Sequence, residues 1–281
     1  MKSLKFILFA SFILLFSCRK VKPETAVSIF GFQNMSDARQ QLGSYADLFT
    51  TVSGSVFVSS TKFYSSEEED WDIFARFVAD PLSQNRVDGG EFHINERKLL
   101  FDKVKQTYVL SPNNDLSGKE LGKLLKSNFG KENEAKLLKD GKTIFQTTAY
   151  IPNEIVASNL SSFEKYTGSN FIKLGRKGMN IQWNRDEKNT NGVVAYLSWT
   201  GDNVDLPVNE QGTQGKKDIA AKFDDTGEAT IPSTFFEGLP KNAAFTISFI
   251  RGGVVVKAGS DNNKYKFYSN SWYKVNCVLA D

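Results

Sequence analysis

The segment Ser271-Trp272-Tyr273-Lys274-Val275-Asn276-Cys277-Val278-Leu279 carries the pattern that decides the fold. Every second side chain of an extended chain lies on the same face, and one face here holds Tyr273, Val275, Cys277 and Leu279. This alternation predicts a β-strand with one face turned towards a core. Cys277 is therefore expected to be a packing residue, because a catalytic thiolate needs a cationic neighbour.

The same period of two recurs throughout the C-terminal part of the chain, between clusters of Gly, Asn, Asp and Ser. The segments that show it are Met179–Trp183, Val193–Trp199, Ile219–Phe223, Phe245–Phe249, Val254–Val256, Tyr265–Tyr268 and Trp272–Leu279. Arg251-Gly252-Gly253 is predicted to be a tight turn, since Gly accepts positive φ angles. About seven short strands in roughly 110 residues are typical of a β-sandwich. Residues 168–281 therefore resemble an immunoglobulin-like or fibronectin-like domain, an antiparallel β-sandwich.

The preceding residues, 27–160, are predicted to form a β-rich domain with one short helix. Strands are expected at Val27–Phe32, Ser55–Tyr64 and Glu91–Ile94, with a turn at Asp88-Gly89-Gly90. Ser117-Gly118-Lys119-Glu120 has the capping-box pattern, which predicts a helix near residues 118–129 that ends at Gly130. Ser66–Asp80 fits a helix or a strand, and its surroundings favour a strand. The polar residues 158–169 are expected to separate the two domains.

The N-terminal residues 1–17 have the three regions of a secretory signal peptide. Lys2 and Lys5 precede an apolar run over Phe6–Phe16, and the small residue Ser17 precedes the cleavage point. The run is too short to span a bilayer as a permanent helix. Export followed by removal of the segment is therefore expected.

Leu15-Phe16-Ser17-Cys18 resembles the lipobox of bacterial lipoproteins, with Phe16 in place of the usual small residue. The resemblance implies cleavage before Cys18 and acylation of Cys18, which anchors the protein in a membrane. Residues 18–26 are expected to be a lipidated tether. Arg19 stands where the inner-membrane retention signal would place Asp, which favours the outer membrane of the bacterial cell envelope.

Charge and cysteine content narrow the function classes. Without residues 1–17 the chain keeps 264 residues, with 33 basic and 32 acidic side chains. With a net charge of +1, the chain has no strong positive electrostatic potential of the kind that nucleic-acid-binding proteins have, so no nucleic-acid partner is expected. Once Cys18 is lipidated, Cys277 has no cysteine with which to form an intramolecular disulfide.

No catalytic or transition-metal motif is recognisable in the sequence. The single histidine, His93, is expected to face out from its strand, and neither a Gly-x-Ser-x-Gly elbow nor a set of His and Cys ligands accompanies it. No cofactor is predicted. Calcium would suit the oxygen-rich loops around Asp202, Asp205, Asp224 and Asp225, although ordinary turn chemistry explains these loops as well.

Aromatic residues divide into core and surface candidates. Trp183 and Trp199 are in phase with apolar neighbours and are expected in the core. Trp272 is in phase with Lys274 and Asn276, and Tyr268 is in phase with Lys266. Trp272 and Tyr268 are therefore the candidate ligand-binding residues, as an exposed platform for a sugar ring or a protein partner.

These features favour a non-enzymatic binding or scaffold lipoprotein with a glycan or envelope-protein ligand. It would be similar in architecture to the glycan-binding lipoproteins of the Bacteroidota, which carry immunoglobulin-like domains behind a lipidated cysteine. The alternative is a carboxylate-dependent polysaccharide hydrolase, for which Glu67–Asp72 is the densest acidic stretch.

Overall fold

The computed structural model of the protein describes residues 35–66, 69–82, 85–110 and 118–280. The predicted signal peptide, the lipidation site Cys18, the tether and the strand at Val27–Phe32 lie outside the described residues, as does Ser117 of the capping box. No helix in the described ranges is long and apolar enough to cross a membrane.

The chain is mostly β, as the alternation predicts. The strands are β1 Gly54–Phe63, β2 Glu69–Val78, β3 Arg86–Val87, β4 Glu91–Ile94, β5 Arg97–Asp102, β6 Thr107–Val109, β7 Lys131–Lys139, β8 Lys142–Ile151, β9 Ile172–Leu174, β10 Met179–Gln182, β11 Val193–Trp199, β12 Lys217–Phe223, β13 Glu228–Ile231, β14 Ala244–Ala258 and β15 Lys264–Leu279. Helix α1 spans Met35–Leu42 and α2 spans Gly118–Lys126. Short 3₁₀ helices cover Gly43–Phe49, Leu160–Ser162, Val208–Glu210 and Ser233–Phe235.

One large mixed sheet of thirteen strands passes through both halves of the chain. Its order is β12-β11-β14-β15-β1-β2-β6-β5-β4-β7-β8, with β3 beside β2 and β9 beside β15, whereas β10 and β13 pair separately. Strands β1 and β9 run parallel to β15. The β1–β15 pair joins distant parts of the chain: Ser60 donates a hydrogen bond to Ser271, 211 residues further on.

The C-terminal core lies between two layers of strands. The inner faces of β11, β14 and β15 pack against the β10–β13 pair, and the Trp183 and Phe249 rings lie 6.3 Å apart across this space. Trp183, Trp199 and Cys277 are all buried here, as predicted. The arrangement is sandwich-like, and apolar alternation on each strand produces it.

The N-terminal core is enclosed by the curled remainder of the sheet. Side chains of β1, β2 and β4–β8 line it, together with Leu125 of α2 and with Tyr265 and Phe267 of β15. The curl brings β8 back to the end of the β14–β15 hairpin, where Ser260 N–H donates to Ile144 O at 2.8 Å. Strand β15 therefore contributes to both cores.

The predicted boundary region is packed structure. Ile151 belongs to the N-terminal core and Ile155 to the C-terminal one, so the change of core falls just before residues 158–169. Leu160, inside that region, is buried in the C-terminal core. The segment is thus held by the core beside it.

Several predicted elements match the structure. Strands at Ser55–Tyr64, Glu91–Ile94 and Val193–Trp199 are confirmed, the ambiguous segment Ser66–Asp80 contains strand β2, and the helix after Ser117 is confirmed as α2. The predicted helix end at Gly130 is wrong, because α2 ends at Lys126, where the Asn128 side chain donates hydrogen bonds to the carbonyl oxygens of Leu124 and Leu125. Gly130 has φ +75° and donates its N–H to Ile151 O at 2.8 Å instead of to the helix.

The predicted turn at Arg251-Gly252-Gly253 is wrong, because β14 runs through it without a break. A Cβ atom at Gly252 would lie 2.0 Å from Ser269 O, and one at Gly253 would lie 2.3 Å from the Asn191 side chain. The glycines allow this close approach of neighbouring segments. The chain reverses later, where Gly259 N–H donates to Asn263 O at 2.8 Å. Likewise, Tyr265–Tyr268 and Trp272–Leu279 belong to one strand.

Candidate ligand-binding cavity

Three polar side chains lie side by side on the face of the sheet opposite the C-terminal core. Ser198 of β11 pairs with Thr246 of β14, and Thr246 pairs with Asn276 of β15. The Thr246 hydroxyl donates a hydrogen bond to Asn276 Oδ1 at 3.1 Å. We call these three residues the polar row.

Phe171 extends the polar row at the edge of the sheet. It precedes Ile172, which pairs with Cys277, so Phe171 lies beside Asn276 on the same face. At about 4.8 Å between neighbouring strands, the distance from Ser198 to Phe171 is about 14 Å. The half-buried Phe171 ring supplies an apolar surface next to hydroxyl and amide groups.

The loop at residues 200–211 forms the opposite wall, and its own hydrogen bonds hold it in place. The buried Asn203 donates from its backbone N–H to Gln211 Oε1 at 2.8 Å and from Nδ2 to Lys241 O at 2.9 Å. Gln211 Nε2 in turn donates to the backbone oxygens of Asn203 and Leu206, both at 2.7 Å. This wall is therefore pre-formed.

The polar row, Phe171 and the loop line an open cavity of about 440 Å³, which we call the C-terminal cavity. Asp202 contributes a carboxylate at its rim and accepts a hydrogen bond from the Thr200 hydroxyl at 2.7 Å. The volume is in the range of small-molecule sites. Its lining combines hydroxyl, amide and carboxylate groups with the apolar side chains of Phe171, Val204 and Phe245. This combination suits a ligand that donates and accepts hydrogen bonds and also presents an apolar surface.

The four calcium candidates occupy different environments. Asp202 lies at the C-terminal cavity, and Asp205 accepts a hydrogen bond from the Asn242 side chain. Asp224 is exposed, whereas the neighbouring Asp225 carboxylate is buried against Arg251. In the part of the chain that the structure describes, no three His, Cys, Asp or Glu side chains are grouped so that they could hold a metal ion.

Arg251 and Asp225 form a buried ion pair that sequence reasoning missed. Arg251 Nε lies 2.8 Å from Asp225 Oδ2, and Nη2 donates to Oδ1 at 2.8 Å. Trp183 Nε1 and Asn189 Nδ2 each donate to the same carboxylate at 2.9 Å. Arg251 also bonds the backbone oxygens of Asn153 and Asn184, so this network ties together the loops where the two cores meet. Its only sequence signal was an arginine beside two glycines in an apolar strand.

The expected aromatic platform is not exposed as predicted. Tyr268 is only 7% exposed, and burial raises its pKa to about 12. Trp272 is half-buried and packs against the cluster formed by Leu42, Tyr45, Val194, Ala220 and Ile250. The alternation placed both side chains on the correct face. Helix α1 and the following 3₁₀ helix contribute Leu42 and Tyr45, which cover part of that face.

The histidine, the free cysteine and the described part of the acidic stretch singled out in the sequence lie outside the C-terminal cavity. His93 Nε2 lies 2.7 Å from Glu91 Oε1 on the outer side of β4, as predicted, and burial raises the pKa of the Cys277 thiol. Within the acidic stretch, a hydrogen bond from Lys62 lowers the pKa of Glu69, while Asp70 and Asp72 are exposed on β2. Glu67 and Glu68 lie outside the described residues.

Comparison with known proteins gives no relative: no protein-family model, no curated protein and no solved structure matches this chain.

Proposed function

We propose that the chain is a lipoprotein of the bacterial cell envelope that binds a glycan without cleaving it. The lipobox-like Leu15-Phe16-Ser17-Cys18 supports attachment to the outer membrane through Cys18. The C-terminal cavity supports ligand binding on a rigid β scaffold. An envelope protein is the other ligand class compatible with this role.

The observation that most supports a glycan as the ligand is the polar row beside the Phe171 ring. Sugar hydroxyls donate and accept hydrogen bonds, and so do the hydroxyls of Ser198 and Thr246, while the Asn276 amide offers both types of group. The C–H face of a sugar ring packs on an aromatic ring such as that of Phe171. Both kinds of contact lie within one cavity of about 440 Å³.

A glycan array probed with the full-length chain tests this proposal, first with calcium and then with a chelator. For a glycan that binds, Thr246→Val should weaken affinity about tenfold, because it removes a hydroxyl from the polar row while keeping the shape of the side chain. Thr230→Val is the matched control, since Thr230 also donates to an asparagine side chain, that of Asn180 at 2.7 Å, but lies on β13 outside the cavity. A blank array, or equal losses in both variants, would argue against the glycan site and favour a protein ligand. Crosslinking in the native envelope would then identify that ligand.

Polysaccharide hydrolysis is the alternative function. It needs two carboxyl groups about 5–10 Å apart at the scissile bond. Among the residues that line the C-terminal cavity, Asp202 contributes a carboxylate, and no second one joins it. The bound glycan should therefore remain intact on prolonged incubation, as measured by its reducing ends. Cleavage that Asp202→Asn abolishes would replace the binding proposal with the hydrolase.

A further inference from the structure

Three cationic side chains line a second cavity, of about 320 Å³, near the start of β1. They are Arg76 of β2, Arg86 of β3 and Lys266 of β15. We call this cavity the basic pocket. It shares no lining residue with the C-terminal cavity.

The strand register explains why these cations converge. Ser55 of β1 pairs with Arg76 on one side and with Lys266 on the other, so the two cationic residues flank it on the same face of the sheet. Their Cα atoms are thus about 10 Å apart, two strand spacings. Arg86 pairs with Val78, which lies two residues beyond Arg76 and therefore on the same face.

The Arg76 side chain is held in place by an aromatic ring, but one of its N–H groups has no hydrogen-bond acceptor in the described residues. Its guanidinium stacks on the Phe74 ring at 4.6 Å, and its Nε is buried without a hydrogen-bond partner in the described residues. Burial lowers the pKa of Arg76 and the charge of Arg86 lowers it further, whereas Asp72, exposed on the same strand, acts in the opposite direction. A buried N–H group is normally paired, because leaving it unpaired costs free energy. The stacking therefore holds the Arg76 side chain at the pocket with the Nε donor unused.

The other two cationic side chains of the basic pocket differ in burial: Lys266 is buried and Arg86 is exposed. Lys266 is only 7% exposed, and its ammonium lies 3.4 Å from Thr50 O. Burial lowers its pKa, and the Asp47 carboxylate acts in the opposite direction. Arg86 is exposed at the rim, where Nη1 donates to Lys105 O at 3.2 Å. A ligand entering the pocket would meet Arg86 first and approach Arg76 and Lys266 inside it.

We propose that the basic pocket binds a phosphate group. A phosphate presents several acceptor oxygens in a tetrahedral arrangement, which suits cations that approach from three strands, whereas a carboxylate presents two oxygens in one plane. The guanidinium of Arg76 offers its planar set of donors, and the Lys266 ammonium acts as a point charge. The source is either free phosphate or the phosphodiester head group of a lipid. The proposal is independent of the glycan site, because the two cavities are separate.

Isothermal titration calorimetry on the full-length chain in a non-ionic detergent, at low salt, tests the proposal. The probes are inorganic phosphate, dihexanoyl phosphatidylglycerol below its micelle concentration, and acetate. Arg76→Gln should weaken phosphate binding at least about tenfold, and Arg86→Gln about threefold because Arg86 is exposed. Arg97→Gln removes the same charge from an exposed position on β5 and should leave binding unchanged. If Arg76→Gln fails to fold, the exposed Arg86 variant still gives a result.

Each outcome decides the proposal. Phosphate or lipid binding that Arg76→Gln and Arg86→Gln weaken, but Arg97→Gln does not, supports the pocket. Tighter binding of phosphatidylglycerol assigns a lipid head group, and tighter binding of inorganic phosphate assigns the free ion. Three results would overturn the proposal: no binding of either phosphate probe at 10 mM (about 3 kcal/mol or less of binding free energy), acetate binding as tight as phosphate, or an equal loss in Arg97→Gln.

Discussion

Replacement of Arg251 by methionine should destabilise the protein more than any exposed arginine substitution. The side chain is fully buried, and its partner Asp225 is buried with it. Arg251→Met would leave that carboxylate with hydrogen bonds from Trp183 and Asn189 but with no opposite charge beside it. Removing one partner of a buried ion pair costs about 3–5 kcal/mol. For a chain of this size, that corresponds to a fall in Tm of roughly 10 °C.

The assay is thermal and urea unfolding of the wild type and three variants. Arg185→Met is the control, because Arg185 also faces a carboxylate, that of Glu187 at 3.6 Å, but both side chains are exposed. Its cost should stay below about 1 kcal/mol. Arg251→Met combined with Asp225→Asn should recover part of the loss, since the second change removes the uncompensated charge while keeping a hydrogen-bond acceptor.

Two results would refute the idea that the buried pair holds the junction of the two cores together. One is a difference in unfolding free energy between the wild type and Arg251→Met below about 1 kcal/mol, the range of an exposed pair. The other is an equal loss of stability in Arg251→Met and Arg185→Met.

Three further results are expected. Gly252→Ala should destabilise the protein by several kcal/mol in urea unfolding, because its Cβ would meet Ser269 O at 2.0 Å, whereas Gly175→Ala, with no atom within 4 Å of its Cβ, should be close to neutral. Cys277 should not react with a soluble disulfide reagent until the protein unfolds, since its thiol is fully buried with a raised pKa; rapid labelling of the native protein would contradict the core assignment. Cys18→Ser should move the protein from the membrane fraction to the soluble one and abolish metabolic labelling with a fatty acid, and persistent labelling would disprove lipidation at this residue.

The local sequence pattern predicted individual strands well, because apolar and polar residues alternate along a strand that is buried on one face only. Val193–Trp199 is the clearest case, since its inward residues are apolar at every second position. The same logic failed at Gly252 and Gly253. Paired glycines suit a tight turn and a close approach between strands equally well, and the sequence does not show that Ser269 O lies against Gly252.

Pairing between distant segments could not be predicted in this way. No local signal indicates that β1 runs parallel to β15, and this pair places Ser55 between Arg76 and Lys266. The C-terminal cavity depends on register too: Asp202 was a candidate, but Ser198, Thr246 and Asn276 form one row only because three strands align. For Trp272 and Tyr268 the alternation gave the correct face. Trp272 is partly covered by Leu42 and Tyr45, and the Tyr268 ring lies 5.8 Å from that of Phe57 on β1, so the contacts of both come from distant parts of the chain.

The position of β15 at the end of the described chain has a consequence for folding. It lies at the centre of the large sheet, between β14 and β1, and supplies side chains to both cores. Strand β1 is synthesised before β15, the strand that it pairs with, which lies more than 200 residues later in the sequence. Such a topology has a high contact order and folds slowly. A chain that stops before Lys264 lacks the strand that completes both cores, so neither half should reach its native packing before β15 is made, and such a truncated chain should be cleaved by protease faster than the whole chain.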